Sequence, residues 1–145
     1  MRKKIFSILL IIIFIPCLLK AEEGIAVRIA VLPFEVFSIE ERTDLGSEIA
    51  VKLSKQLAIN PYILISDFRA VQSVLREDEY ATLGEERLKE IAKLLDANFL
   101  LFGSTTKIRD EISIDVQVFN NFPAEAYFKT FAEGTDIEGV IEEIS

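Results

Sequence analysis

Val27-Arg28-Ile29-Ala30-Val31-Leu32-Pro33-Phe34 is the stretch on which the reading of this chain turns. The run is apolar, rich in β-branched residues, without alternation, and is stopped by a proline. A short uninterrupted run of this kind reads as a strand buried on both faces. Such strands sit in the middle of sheets that carry helices on both sides, so the run predicts an α/β protein.

Downstream, Phe34 to Arg42 reads as a loop. Thr43 or Asp44 then caps a helix with apolar residues at Leu45, Ile49, Leu53 and Leu57. Asn60-Pro61 ends it, because proline cannot extend a helix. Tyr62 to Ile65 is a second short strand. Ser66-Asp67 caps a second helix with an inner face of Phe68, Val71, Val74 and Leu75. Thr82-x-x-Glu85 is a capping box that starts a third helix, with Leu88, Ile91, Ala92 and Leu95 inward.

Asn98 to Gly103 reads as a third strand that continues through Ile108, with Gly103 marking a bulge or bend. Arg109-Asp110 turns the chain. Glu111 to Phe119 then alternates, with Ile112, Ile114, Val116 and Val118 on one side and Ser113, Asp115 and Gln117 on the other. That is a half-buried antiparallel strand. Asn120-Asn121-Phe122-Pro123 turns again, Ala126 to Ala132 is the last strand, and Asp136 caps a final helix containing Ile137, Val140, Ile141 and Ile144. The expectation is one domain with a mixed five-stranded sheet in the order βαβααβββα, with helices packed on it. The first strand-helix-strand unit should pair in parallel, and the last three strands should form an antiparallel meander. The final helix reaches Ser145 without a glycine or proline stop, which leaves open a chain truncated from something longer.

Upstream, Met1-Arg2-Lys3-Lys4, the apolar block Ile5 to Leu19, and Lys20-Ala21 have the layout of a bacterial-type export signal. The block is short for a membrane span and contains Pro16. Residues 1–21 are thus expected to be a cleaved signal peptide and 22–145 the folded domain, located in the periplasm. An uncleaved anchor is the alternative. Phe14-Ile15-Pro16-Cys17 is a poor lipobox, so lipid anchoring through Cys17 is not expected.

The chain carries 16 basic and 24 acidic residues; four of the basic ones and no acid precede Ala21, so 12 basic face 24 acidic beyond it, net −12. Such a surface repels phosphate backbones and anionic headgroups, which excludes nucleic acid as a partner and confines membrane attachment to the signal segment or a partner. The chain has no histidine, which removes the commonest general base and metal ligand. Ser-His-Asp and Cys-His catalysis are excluded. No catalytic, cofactor-binding or metal-binding residue is expected. Gly103-Ser104-Thr105-Thr106 lacks the lysine and glycine spacing of a phosphate loop. The phenylalanines Phe99, Phe102, Phe119, Phe122, Phe128 and Phe131 read as core and sheet face, with a lipid groove as the sharper alternative.

Three blocks together carry a resemblance: Ile29 to Phe34, Leu94 to Gly103, and Ile112 to Asn120 leading into Phe131-Ala132-Glu133-Gly134. They resemble the TolB amino-terminal-domain-like and CsgG-like periplasmic α/β domain family, and are similar to the penicillin-binding-protein activator LpoB. The resemblance covers Val27 to Ser145 and implies a non-enzymatic module that binds other envelope proteins, accessory to an envelope assembly or transport system. The alternatives are a subunit of an oligomeric envelope ring or secretion channel, and a small-ligand-binding or enzymatic domain using acidic loop residues. Ligands of open α/β sheets gather beyond the carboxyl ends of parallel strands. The expected partner-binding residues are therefore Phe34, Phe37, Glu40, Glu41 and Arg42 after the first strand, with Asp67 and Arg69 after the second.

Overall fold

The computed structural model describes residues 26–38, 44–76, 83–122 and 128–144. The signal-like segment, Glu40, Glu41, Arg42, Thr43 and Thr82 lie outside them. Six strands and four helices follow in order: β1 (Val27–Val31), β2 (Glu35–Ser38), α1 (Leu45–Leu57), β3 (Ile63–Ile65), α2 (Phe68–Val74), α3 (Glu85–Leu94), β4 (Phe99–Ile108), β5 (Glu111–Asn120), β6 (Phe128–Gly134) and α4 (Ile137–Ile144).

The sheet runs β3-β1-β4-β5-β6. β1 pairs in parallel with β3 through Val27↔Ile63 and with β4 through Ile29↔Phe99. β4, β5 and β6 form the antiparallel meander that the alternation in β5 predicts. Asn98 fixes the central register from both sides of its residue. Its N–H donates to the Arg28 carbonyl and its Oδ1 accepts from the Arg28 N–H, each at 2.8 Å.

β2 is a correction to the five-strand expectation. Glu35-Val36-Phe37-Ser38 continues past the Leu32-Pro33-Phe34 interruption in the direction of β1 and pairs in parallel with the far half of β4, Glu35↔Ser104 to Ser38↔Lys107. Four residues with one acid and one serine carry no strand signal of their own. Their partner is the unused edge of a ten-residue strand, and only the assembled sheet supplies it.

Two further expectations are corrected. Gly103 makes no bulge, since β4 and β5 stay in register from Phe99↔Asn120 to Ile108↔Glu111. Its glycine is required by close approach, because a Cβ there would lie 1.8 Å from the Asp115 carbonyl oxygen and 3.3 Å from the Phe34 ring. The third helix starts at Glu85 with Gly84 in the cap position and no side-chain cap. Glu85 is therefore the first helical residue and not the third position of a box. Glu85 and Glu86 in the first turn complement the helix dipole instead. Asp67 caps α2 as expected, accepting from the Arg69 and Ala70 N–H groups. Asp136 caps α4 through the Gly139 N–H at 2.8 Å. Asp44 stands at the α1 cap position without a side-chain cap bond.

Helices cover both faces. α1 and α4 bury Val31, Phe34, Leu101, Ile112, Ile114 and Val116 against Leu45, Ile49, Leu53, Val140 and Ile141. α2 and α3 bury Ala30, Leu32, Leu100 and Phe119 against Val71, Leu88, Ile91 and Leu95. β1 contributes to both cores, which is why its sequence runs apolar without alternation. α1 approaches the strand break so closely that a Cβ on Gly46 would lie 2.0 Å from the Phe34 carbonyl oxygen. The Phe34 N–H in turn donates to the Gly46 carbonyl at 3.2 Å.

Candidate interaction surface

The two faces of the sheet are covered unequally. On β5 the residues facing α1 and α4 are Ile112, Ile114 and Val116, all buried, with Val118 beside them. The residues between them face the other way and end at Phe119, which α3 buries. Beyond Phe119 this second face carries Gln117, Asp115, Ser113 and Glu111, with Asp115 and Glu111 exposed.

The register extends these rows. Gln117 pairs with Phe102, Asp115 with Ser104, Ser113 with Thr106, and Glu111 with Ile108. On the outer side, Glu133 of β6 pairs with Ser113, and Lys129 takes the position opposite Gln117. On the inner side, Glu35 pairs with Ser104 and Phe37 with Thr106. The result is half a sheet face, four strands or about 14 Å wide at the usual spacing, that no described helix covers.

Among the described side chains, two large apolar ones stand on this half-face: Phe37 is 51% and Ile108 51% exposed. A groove of about 500 Å³ borders it, lined by Thr106, Ile108, Glu111, Ser113, Glu133 and Thr135 among others. Among the described residues β2 pairs only with β4.

The other exposed apolar residues lie at the opposite end of the molecule. Leu64 lies within the short edge strand β3, with Ile59, Tyr62 and Leu94 beside it. Phe122 is half exposed and meets Phe99 edge to face at 6.0 Å. Phe119 is core.

The residues expected to bind a partner are not one cluster. Phe34 is 3% exposed and fills the core over Gly103, so it offers no surface. Phe37 stands on the half-covered face. Asp67 and Arg69 are exposed at the start of α2, where the Asp67 carboxylate is engaged by the Arg69 N–H at 2.9 Å. The Ser66 N–H donates to the Ile29 carbonyl, which keeps that turn near the end of β1. Phe37 is level with Thr106, five residues along β4 from the partner of Val31, or about 16 Å at the usual rise. Glu40, Glu41 and Arg42 lie outside the described residues. Sequence reasoning missed Ile108, Glu111 and Glu133 as surface neighbours of Phe37. The alternation in β5 pointed its polar residues to solvent, but nothing local placed β2 beside them.

Charge on the covered side is used for packing. Lys52 of α1 bonds Glu138 of α4 and, at 3.1 Å, Glu48 one turn earlier. The Glu138 bond, then the Glu48 bond, holds the Lys52 ammonium above its ordinary value. The Lys52 bond, followed by a backbone hydrogen bond, holds the Glu138 carboxyl below its own. Among the described residues no three acidic or cysteine side chains converge as a metal site. No described helix is long and apolar enough to cross a membrane.

The fold has solved counterparts. It is similar to the LpoB C-terminal domain from Salmonella enterica, with a TM-score of 0.60 and 13% identity over 85% of this chain and 93% of that one. It is similar to lipoprotein GNA1162 from Neisseria meningitidis, with a TM-score of 0.60 and 9% identity over 75% and 80%. It is also similar to a PelC dodecamer from Paraburkholderia phytofirmans, with a TM-score of 0.55 and 11% identity over 83% and 86%. No family model and no curated protein matches the sequence. The likeness to LpoB that the sequence suggests is thus present in the fold.

Proposed function

We infer that the chain is a non-enzymatic cell-envelope domain that docks a partner protein, as an accessory to an envelope assembly or transport system. The observation that carries this reading is the sheet half-face that no described helix covers, with Phe37 and Ile108 exposed on it. Scattered single apolar residues are ordinary on a surface. Two on one sheet face that no described helix covers suit face-on docking. The shared fold with LpoB C-terminal domains and with a protein named a lipoprotein supports an envelope setting. A fold alone does not fix a role. The sequence adds an amino terminus with the layout of an export signal and a chain without histidine.

The partner is an envelope or outer-membrane protein, and the protein reaches the periplasm after cleavage following Ala21. Fractionating the source cells and sequencing the amino terminus of the recovered protein checks both statements. The expected result is an envelope or periplasmic form beginning at Glu22. Full-length chain dissolved in the cytosol would sink the reading.

One observation favours a second reading, a ring subunit: a solved structure with this fold is described as a dodecamer. Light scattering on the purified protein separates the two, because a ring gives a large and defined mass.

A further inference from the structure

The bare half-face has a sign. Glu35, Glu111, Asp115 and Glu133 occupy it, and Lys129 holds a register position on β6 opposite Gln117. Arg109 and Asp110 at the adjoining turn offset each other. The face is therefore acidic as well as partly apolar. A second copy is a poor occupant. A two-fold contact would set this face against itself and bring like charges together. Anionic lipid is disfavoured for the same reason.

We propose that this half-face binds a basic segment of a partner protein laid across its strands. The segment's apolar side chains meet Phe37 and Ile108, and its lysines or arginines lie toward Glu35, Glu111 and Glu133. This deepens the docking role inferred above and rests on it. The stems of lysine and arginine cover apolar surface while their heads reach carboxylates, so one segment satisfies both features of the face. The groove beside Ile108, with Glu111 and Glu133 among its lining residues, admits such a side chain.

The test is site-specific photo-crosslinking of the full chain in its source cells. A photoreactive phenylalanine analogue replaces Phe37 or Ile108 in turn, and Ile59 or Leu94 as remote positions. The expected result is a crosslink from positions 37 and 108 to one envelope protein. The captured stretch should carry net positive charge, and the yield should fall about tenfold in the triple variant E35K/E111K/E133K. The three substituted side chains lie outside both cores, and a circular-dichroism melt close to the parent's verifies folding. A captured stretch of neutral or acidic charge, capture of a second copy, or a yield unmoved by the triple variant would overturn the proposal. Crosslinks from positions 59 or 94 alone would overturn it while leaving the docking role intact. Crosslinks to no envelope protein from any of the four positions would remove both.

Discussion

The two faces of this sheet are made by the same strands and end differently. On the face under α1 and α4, every second residue of β5 from Ile112 to Val116 is apolar and buried. On the face toward α2 and α3, β5 reads Glu111, Ser113, Asp115 and Gln117 before reaching Phe119, and helix cover ends where the apolar residues end. A helix packs where its apolar stripe finds apolar partners, and burying unpaired carboxylates under it would cost several kcal/mol. Among the described residues no helix covers the polar half of the second face, because its side chains would gain nothing from that cover.

The pair Phe34 and Phe37 tests this contrast most severely. They are three residues apart, one buried over Gly103 and one standing on the bare face. Phe34→Ala should lower unfolding free energy by about 3–5 kcal/mol, read by urea denaturation, while Phe37→Ala should change it by less than about 0.5. Equal losses would mean that Phe37 is core and the face is not bare. Neighbours on β5 repeat the comparison. Ile114→Ala should cost about 2–5 kcal/mol and Ser113→Ala almost nothing.

The close packing of the sealed face sharpens it further. Gly46→Ala forces a methyl group onto the Phe34 carbonyl and should cost about 1–3 kcal/mol in the same assay. Gly84→Ala, where no atom lies within 4 Å of the added carbon, is a clash-free comparison and should cost less, about 0.5–1 kcal/mol from the poorer helix cap.

The smallest effect concerns the Lys52–Glu138 link between α1 and α4. Glu138 is held below the ordinary 4.5, so its contribution is complete above that pH and is lost as pH falls through the lowered value. Lys52 is held above the ordinary 10.5, so its contribution persists below that pH and is lost as pH rises past it. Thermal melts of the parent and Glu138→Gln should differ slightly between these limits and converge in acid. Glu138 is largely solvated and Lys52 is partly so, and the difference should shrink in high salt. A gap that persisted at pH 2 would show that the substitution acts by something other than charge.

Much of this was legible along the chain, and the misses share a cause. Five of the six strands, the four helices, the parallel β1–β3 pair and the meander follow from periodicity, prolines and caps. These are local signals that neighbouring residues can carry. β2 has none, and its strand character comes entirely from the unused edge of β4. Gly103 looked like a bulge because a glycine in a strand usually is one; its real reason, the carbonyl of Asp115 and the ring of Phe34, lies at residues distant in sequence. Within the candidate site, Phe37 was legible as a residue to watch, whereas Ile108, Glu111 and Glu133 were not.

The sequence by itself determined the α/β class, the two-sided burial of β1, the one-sided burial of β5 and the acidic character beyond residue 21, because each is written in the spacing or kind of adjacent side chains. Only the tertiary structure decided which half of the sheet stays uncovered, that Phe34 turns inward while Phe37 stays out, and that Phe37, Ile108 and the flanking carboxylates share one surface. Register and helix length set those outcomes, and both are fixed by pairing between segments far apart in the chain.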